Sequence, residues 1–177
     1  MRIISGVLGG RTFDAPRGHK THPMSEKARG GLFSALGDIS GLIVLDAFAG
    51  SGALSFEAVS RGAKSTVAID ADHQAVETIK RNINRLNISG KIKVTKANSS
   101  GWSDKNDQAK FDLVFAAPPY DNLQHNLVEK LVRHLNEAGI YVLDWPKGEP
   151  VLKLKGLDIV KQKNYGDAEL VFYKKIS

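Results

Sequence analysis

Leu42-Ile43-Val44-Leu45-Asp46-Ala47-Phe48-Ala49-Gly50-Ser51-Gly52-Ala53-Leu54 decides the fold. Its opening run of branched apolar residues suits a strand buried on both faces of a parallel sheet. A loop of small residues follows, and Ala53 to Arg61 has the pattern of a helix. Strand, glycine loop and helix form the first βα turn of a nucleotide-binding α/β domain. Gly50 and Gly52 let a ligand approach the main chain closely. Asp46 ends the strand, where it can meet a positively charged or hydroxyl-bearing group.

The run Gly50-Ser51-Gly52-Ala53-Leu54-Ser55 ends in Ser55 where the dinucleotide fingerprint has its third glycine, which argues against a pyrophosphate. An acidic residue before the loop also repels phosphate. It suits a cationic amino-acid group such as the methionine end of S-adenosylmethionine, the expected cofactor. Asp70 follows 24 positions after Asp46 and closes Ser65-Thr66-Val67-Ala68-Ile69-Asp70, the second strand. A Rossmann-like domain places an acid there to accept hydrogen bonds from ribose hydroxyls. Asn98, after the strand Ile92-Lys93-Val94, is a candidate for an adenine edge, and the residues beyond it, Trp102 among them, are read as a loop. The expected cofactor contacts are Asp46, Phe48, Ala49, Gly50, Ser51, Gly52, Asp70, Ala71 and Asn98.

The other elements follow from spacing and punctuation. Ser25 caps a helix from Glu26 to Leu36. Asp72 caps a longer one whose stripe is Ala75, Val76, Ile79, Ile83 and Leu86. Phe111 to Phe115 is a fourth strand, Asn122 to Leu135 an amphipathic helix, and Gly139 to Trp145 a fifth strand. Leu157 to Tyr165 and Ala168 to Lys175 alternate like a closing hairpin. The whole predicts an α/β fold: a Rossmann-like, mostly parallel seven-stranded sheet with helices on both faces. Residues 1–40 are read as an appendage of hairpin, basic arm and helix, with Arg2 to Gly6 and Gly10 to Phe13 as its two short strands. Residues 41–177 are the catalytic domain.

The fourth strand leads into Ala116-Ala117-Pro118-Pro119-Tyr120. Two prolines fix their φ angles and present carbonyls in a set geometry. Tyr120 can stack on an unpaired base. Ala117, Pro118, Pro119 and Tyr120 are therefore the substrate side of the site. Net charge is +6, from 25 Lys and Arg against 19 Asp and Glu. That permits a polyanionic partner. The basic N-terminal residues Arg2, Arg11, Arg17, Lys20, Lys27 and Arg29 face only Asp14 and Glu26 in the same segment, and are expected to form an arm that tracks nucleic-acid phosphates. With no cysteine in the chain, disulfides and thiolate chemistry are excluded. No metal site is expected. No apolar run approaches the roughly 20 residues that span a bilayer, and no secretory signal pattern opens the chain. A cytoplasmic monomer is expected.

Met1-Arg2-Ile3-Ile4-Ser5-Gly6 with Gly10-Arg11, then Pro23-Met24-Ser25-Glu26-Lys27-Ala28-Arg29 and Leu32-Phe33, resembles the N-terminal signature of bacterial 16S rRNA guanine-N2 methyltransferases. Asp46 to Leu54, Glu57-Ala58 and Arg61-Gly62 are similar to that family's cofactor motif, and the likeness weakens after about Trp145. The resemblance implies methylation of an exocyclic guanine N2 in small-subunit ribosomal RNA, with S-adenosylmethionine as donor and the N-terminal arm on the RNA. Two positions depart from the pattern. His22 stands where the family usually has arginine. Ala117 stands where the family has Asp or Asn, whose side chain accepts a hydrogen bond from the target amine. By analogy with lost oxyanion donors, such a loss slows catalysis about 10²–10³-fold, while cofactor binding survives. Two alternatives stay open: a catalytically silent RNA-binding homologue, and an adenine-N6 methyltransferase, since Pro-Pro-Tyr serves adenine as well.

Overall fold

The computed structural model describes residues 1–18 and 23–176, so Lys20 and His22 lie outside the described residues. Seven strands form one sheet: β1 (Ile43–Asp46), β2 (Ser65–Asp70), β3 (Ile92–Lys96), β4 (Phe111–Ala116), β5 (Leu135–Pro146), β6 (Leu157–Tyr165) and β7 (Ala168–Lys175). Their order is β3-β2-β1-β4-β5-β7-β6. β1 pairs in parallel with β2 on one side and β4 on the other. The order reverses between β1 and β4, and at such a switch point ligands bind outside the carboxyl ends of the strands. β7 is antiparallel to both β5 and β6.

Helices α1 (Glu26–Leu36) and α2 (Ala53–Ser60) cover one face of the sheet, where Leu32, Phe33, Leu54 and Ala58 meet Val44, Leu113, Phe115 and Val142. The opposite face carries α4 (Ser99–Lys105) and α5 (His125–Lys130), whose Trp102 and Val128 pack on Leu45, Val114, Ala116 and Leu143. Helix α3 (His73–Arg85) follows β2, and the five residues of the expected stripe are buried, Leu86 at its C-cap included. All eight residues of α2 are buried, Glu57 included.

Four expectations change. The residues after Asn98 are a helix rather than a loop: Asn98 caps α4 by accepting from Gly101 N at 2.8 Å, and Trp102 anchors it in the core. The expected helix from Asn122 to Leu135 shrinks to α5 and a 3-10 turn, Leu131–His134. Gln124 sits at φ 49, outside helical geometry, and Leu135 already belongs to β5.

The N-terminal strands reduce to one bridge, Arg2 to Thr12. Neighbouring N–H groups go to α2 instead: Ile4 and Ser5 donate to the Glu57 carboxylate at 2.9 and 3.1 Å, and Val7 donates to Ser60 O at 2.8 Å. Gly6 permits this approach, since a Cβ there would fall 2.0 Å from Ser60 O. Ile3, Leu8 and Phe13 then share a core with Phe56, Val59 and Ile79.

The fourth change concerns Arg29. It is fully buried, its Nε 3.5 Å from the buried Glu57 carboxylate, with Nη2 donating to Arg2 O at 2.5 Å. Burial pulls its pKa down and Glu57 pulls it back up. It pins the arm and α1 to α2 and cannot reach a phosphate.

Candidate active site

The glycine loop is tethered at its start. Ala49 N donates to Ile69 O at 2.9 Å and Gly50 N to Asp70 Oδ2 at 2.7 Å, so the loop hangs from the end of β2. Gly52 takes φ +80, and a Cβ on it would press on Phe56 at 2.9 Å and Ile79 at 3.0 Å. Asp70 does more than wait for a ribose. Its Oδ1 accepts from Asp72 N at 2.8 Å, so each oxygen holds one backbone N–H and keeps one lone pair for a ligand. Ala71, at the turn between them, is exposed, and Phe48 and Gly50 are half-buried.

Asp46 is buried beneath this loop. Its Oδ2 accepts from Ser55 Oγ at 2.7 Å, while Oδ1 is buried with no hydrogen-bond partner. Burial pushes its carboxyl up to about 6; the Ser55 hydrogen bond opposes the rise and nearby Asp70 adds to it. An unpartnered buried acceptor carries a desolvation penalty, which a cationic or N–H-bearing ligand removes. Ser55 is a site residue that pattern reading passed over. It stands where the dinucleotide fingerprint has its third glycine, and its hydroxyl orients Asp46.

Ser99 Oγ donates to Ala47 O and ties α4 to the loop. Asn98, beside it, is exposed; its Oδ1 is used in the cap, leaving the side-chain NH₂ for a ligand.

At the end of β4, Pro118 is buried and Ala117 and Pro119 are half-buried. Pro119 O accepts from Asn122 N at 2.9 Å, closing the turn, whereas Pro118 O has no hydrogen-bond partner among the described residues. Tyr120 folds back toward β5, its hydroxyl donating to Asp144 Oδ1 at 2.6 Å. The residue is 39% exposed. Burial raises the Tyr120 hydroxyl and pushes the Asp144 carboxyl up to about 6. Asp144 was not among the sequence candidates. A groove of about 840 Å³ runs from Tyr120 past Asn122 and Leu127 to Ser100 and Lys130.

The sheet thus gathers Asp46, the Ala49–Gly52 loop, Asp70, Asn98 and the Ala117–Tyr120 turn at one edge, from the carboxyl ends of β1 to β4. The N-terminal basic residues divide. Arg2 is exposed and paired with Glu26 at 2.9 Å. Arg11 is exposed and reaches Leu86 O at 3.3 Å. Lys27 is exposed on α1. Arg17 lines a groove of about 740 Å³ with Phe13, Gln74, Thr78 and Arg81. Arg29 belongs to the interior, as described above. No helix among the described residues is long and apolar enough to cross a membrane.

The family described as Conserved hypothetical protein 95 matches residues 1–174. The Bacillus subtilis protein YlbH, which carries rRNA methyltransferase in its name, is 30% identical over 182 residues, covering 99% of each chain. Ribosomal RNA small subunit methyltransferase D of Haemophilus influenzae is 29% identical over 184 residues, covering 98% of this chain and 93% of its own. Among solved structures, YhhF of Escherichia coli superposes with a TM-score of 0.88 at 25% identity, over 99% of this chain and 97% of that one. The sheet order, the switch-point site and these relatives agree: the chain belongs to the rRNA methyltransferase family described as Conserved hypothetical protein 95, with the class I methyltransferase fold.

Proposed function

We propose that this protein transfers a methyl group from S-adenosylmethionine to the exocyclic N2 of a guanine in 16S ribosomal RNA. The observation that carries the proposal is the meeting, at one sheet edge, of a glycine loop over an unpartnered Asp46 oxygen with a Pro-Pro-Tyr turn. Asp46 and the Phe48–Gly52 loop take the methionine end of the cofactor. Asp70 and Ala71 take the ribose, and Asn98 the adenine. The methyl carbon on a sulfonium is already activated, so the protein's part is to place the amine in line with it. The Pro118 carbonyl accepts from that amine and Tyr120 stacks on the base.

Residues 1–40 carry the RNA contact although their first part packs into the core, and residues 41–177 carry the chemistry. Exposed Arg2, Arg11, Arg17 and Lys27 track phosphates; Arg29 is left out of this set. The protein acts as a monomer in the cytoplasm, where its RNA is. Ala117 gives one specific reason for a second reading, an RNA-binding homologue that has lost turnover.

Labelled S-adenosylmethionine, undermethylated 16S rRNA and small-subunit particles test this directly. N2-methylguanosine in the nucleoside digest is the expected product. N6-methyladenosine reassigns the base, and RNA binding without incorporation favours the silent homologue.

A further inference from the structure

An exocyclic amine attacks a sulfonium methyl only when its lone pair leaves conjugation with the ring. Hydrogen bonds from its N–H groups to two acceptors hold it in that geometry. The Pro118 carbonyl offers one acceptor, and the methyl side chain of Ala117 offers none. We propose that Asp144 supplies the second acceptor, reaching from β5 into the place that a longer side chain at position 117 would fill. The inference rests on the methyltransferase reading above.

The register places the two residues together. β4 and β5 pair Phe115 with Val142 and Ala116 with Leu143. One further step along these parallel strands sets Ala117 beside Asp144, at the spacing of about 4.8 Å between neighbouring strands. Side chains alternate between faces. Phe115 and Val142 belong to the core under α1, and Ala116 and Leu143 to the opposite one. Residues 117 and 144 therefore share a face. A carboxylate on β5 is a short lateral step from the position that Ala117 leaves empty.

The carboxylate is also held in place. Tyr120, on the same turn as Pro118, donates to Asp144 Oδ1 at 2.6 Å. This fixes the side chain and leaves Oδ2 for a second donor. Asp144 is half-buried, near the carboxyl end of β5. Among nearby charged groups, Asp167, from the β6–β7 turn, raises its carboxyl further. With a pKa of about 6, the group is ionised at neutral pH and accepts hydrogen bonds.

In the transfer, the amine lone pair forms the N–C bond as the C–S bond breaks and its electron pair returns to sulfur. S-adenosylhomocysteine leaves as a neutral thioether. The nitrogen gives up one proton, to Asp144 and from there to water.

The experiment uses the full chain and five proteins: wild type, Asp144→Ala, Ala117→Asp, the double variant and Tyr120→Phe. Cofactor affinity is measured by calorimetry, and kcat and KM by methyl transfer to undermethylated small-subunit particles. Asp144→Ala is expected to lower kcat about 10²–10³-fold, with the cofactor Kd and the RNA KM within about threefold of wild type. Adding Ala117→Asp to it is expected to recover at least tenfold of that loss. Tyr120→Phe keeps the carboxylate but removes its anchor, and is expected to lose less than Asp144→Ala.

A kcat within about threefold of wild type for Asp144→Ala overturns the assignment. So does a loss that Ala117→Asp does not recover, or a Tyr120→Phe loss equal to that of Asp144→Ala, which makes Asp144 only an anchor for the tyrosine. Transfer by Ala117→Asp with none by wild type refutes Asp144 and leaves the methyltransferase reading standing. Transfer by no variant refutes that reading and this inference with it.

Discussion

Asp46→Asn should stabilise the cofactor-free protein while weakening cofactor binding. The carboxyl is buried, one oxygen has no partner, and burial moves its pKa from an ordinary 3.8 to about 6. Roughly two pH units, at about 1.4 kcal/mol each, amount to about 3 kcal/mol of lost stability once the group is ionised. The folded pKa lies above the unfolded one, which fixes the sign. Below about pH 4 both states carry a neutral carboxyl and nothing is lost. Between about pH 4 and 6 the unfolded chain ionises first, so stability falls as pH rises, and above pH 6 the full loss persists.

Asparagine keeps an acceptor for Ser55 and removes the charge. Its NH₂ inherits the unpartnered position at a cost of about 1–3 kcal/mol, so the net gain at pH 8 is at most about 2 kcal/mol. For a chain of this size that is at most about 4–8 °C in Tm. The assay is thermal unfolding of both proteins at pH 4.5 and pH 8, with and without S-adenosylmethionine. The variant should lead at pH 8 and lose most of its lead at pH 4.5. Cofactor affinity should fall about 10- to 100-fold, the worth of one charge-assisted hydrogen bond. A lead that is the same at both pH values, or a variant less stable at pH 8, would refute the argument.

Four other perturbations test the scaffold and the RNA surface. Glu57→Ala strands the buried Arg29 and frees the Ile4 and Ser5 N–H groups. It should cost about 3–5 kcal/mol in urea unfolding, and a loss below about 1 kcal/mol would mean that the arm is held by its apolar contacts alone. Arg17→Ala should leave stability within about 0.5 kcal/mol of wild type and reduce the salt slope of rRNA binding by about one. Arg29→Ala should do the reverse, destabilising the fold without changing that slope. Gly31→Ala places a Cβ 1.9 Å from the Tyr165 hydroxyl. Its overpacking cost of about 1–3 kcal/mol outweighs the helix-propensity gain, and Tyr165→Ala in the same chain should reverse the sign.

What the sequence made legible was local. The β1 run, the glycine loop, α3 with its Asp72 cap and the closing hairpin each carry their own period or punctuation, and the structure has them within a residue or two. Helix α4 was hidden because Ser99-Ser100-Gly101 reads as loop; its order comes from the Asn98 cap, Trp102 in the core and the Ser99 bond to Ala47. Charge alone misplaced Arg29. A basic residue in a basic segment looks like a phosphate contact until the chain brings Glu57 against it in the interior.

Asp144 was hidden in a different way. In Ile140-Tyr141-Val142-Leu143-Asp144-Trp145 it reads as an acid at the end of an apolar strand, and nothing within the strand relates it to Ala117. Only the pairing of β4 with β5 does so, and that pairing is sensitive. A slip of one residue would turn the side chain of residue 144 to the opposite face of the sheet, away from the Pro-Pro-Tyr turn. The register is pinned by two cores at once, Phe115 with Val142 on one face and Ala116 with Leu143 on the other. Burial on both faces thus sets not only the stability of the sheet but also which acid stands beside the Pro-Pro-Tyr turn.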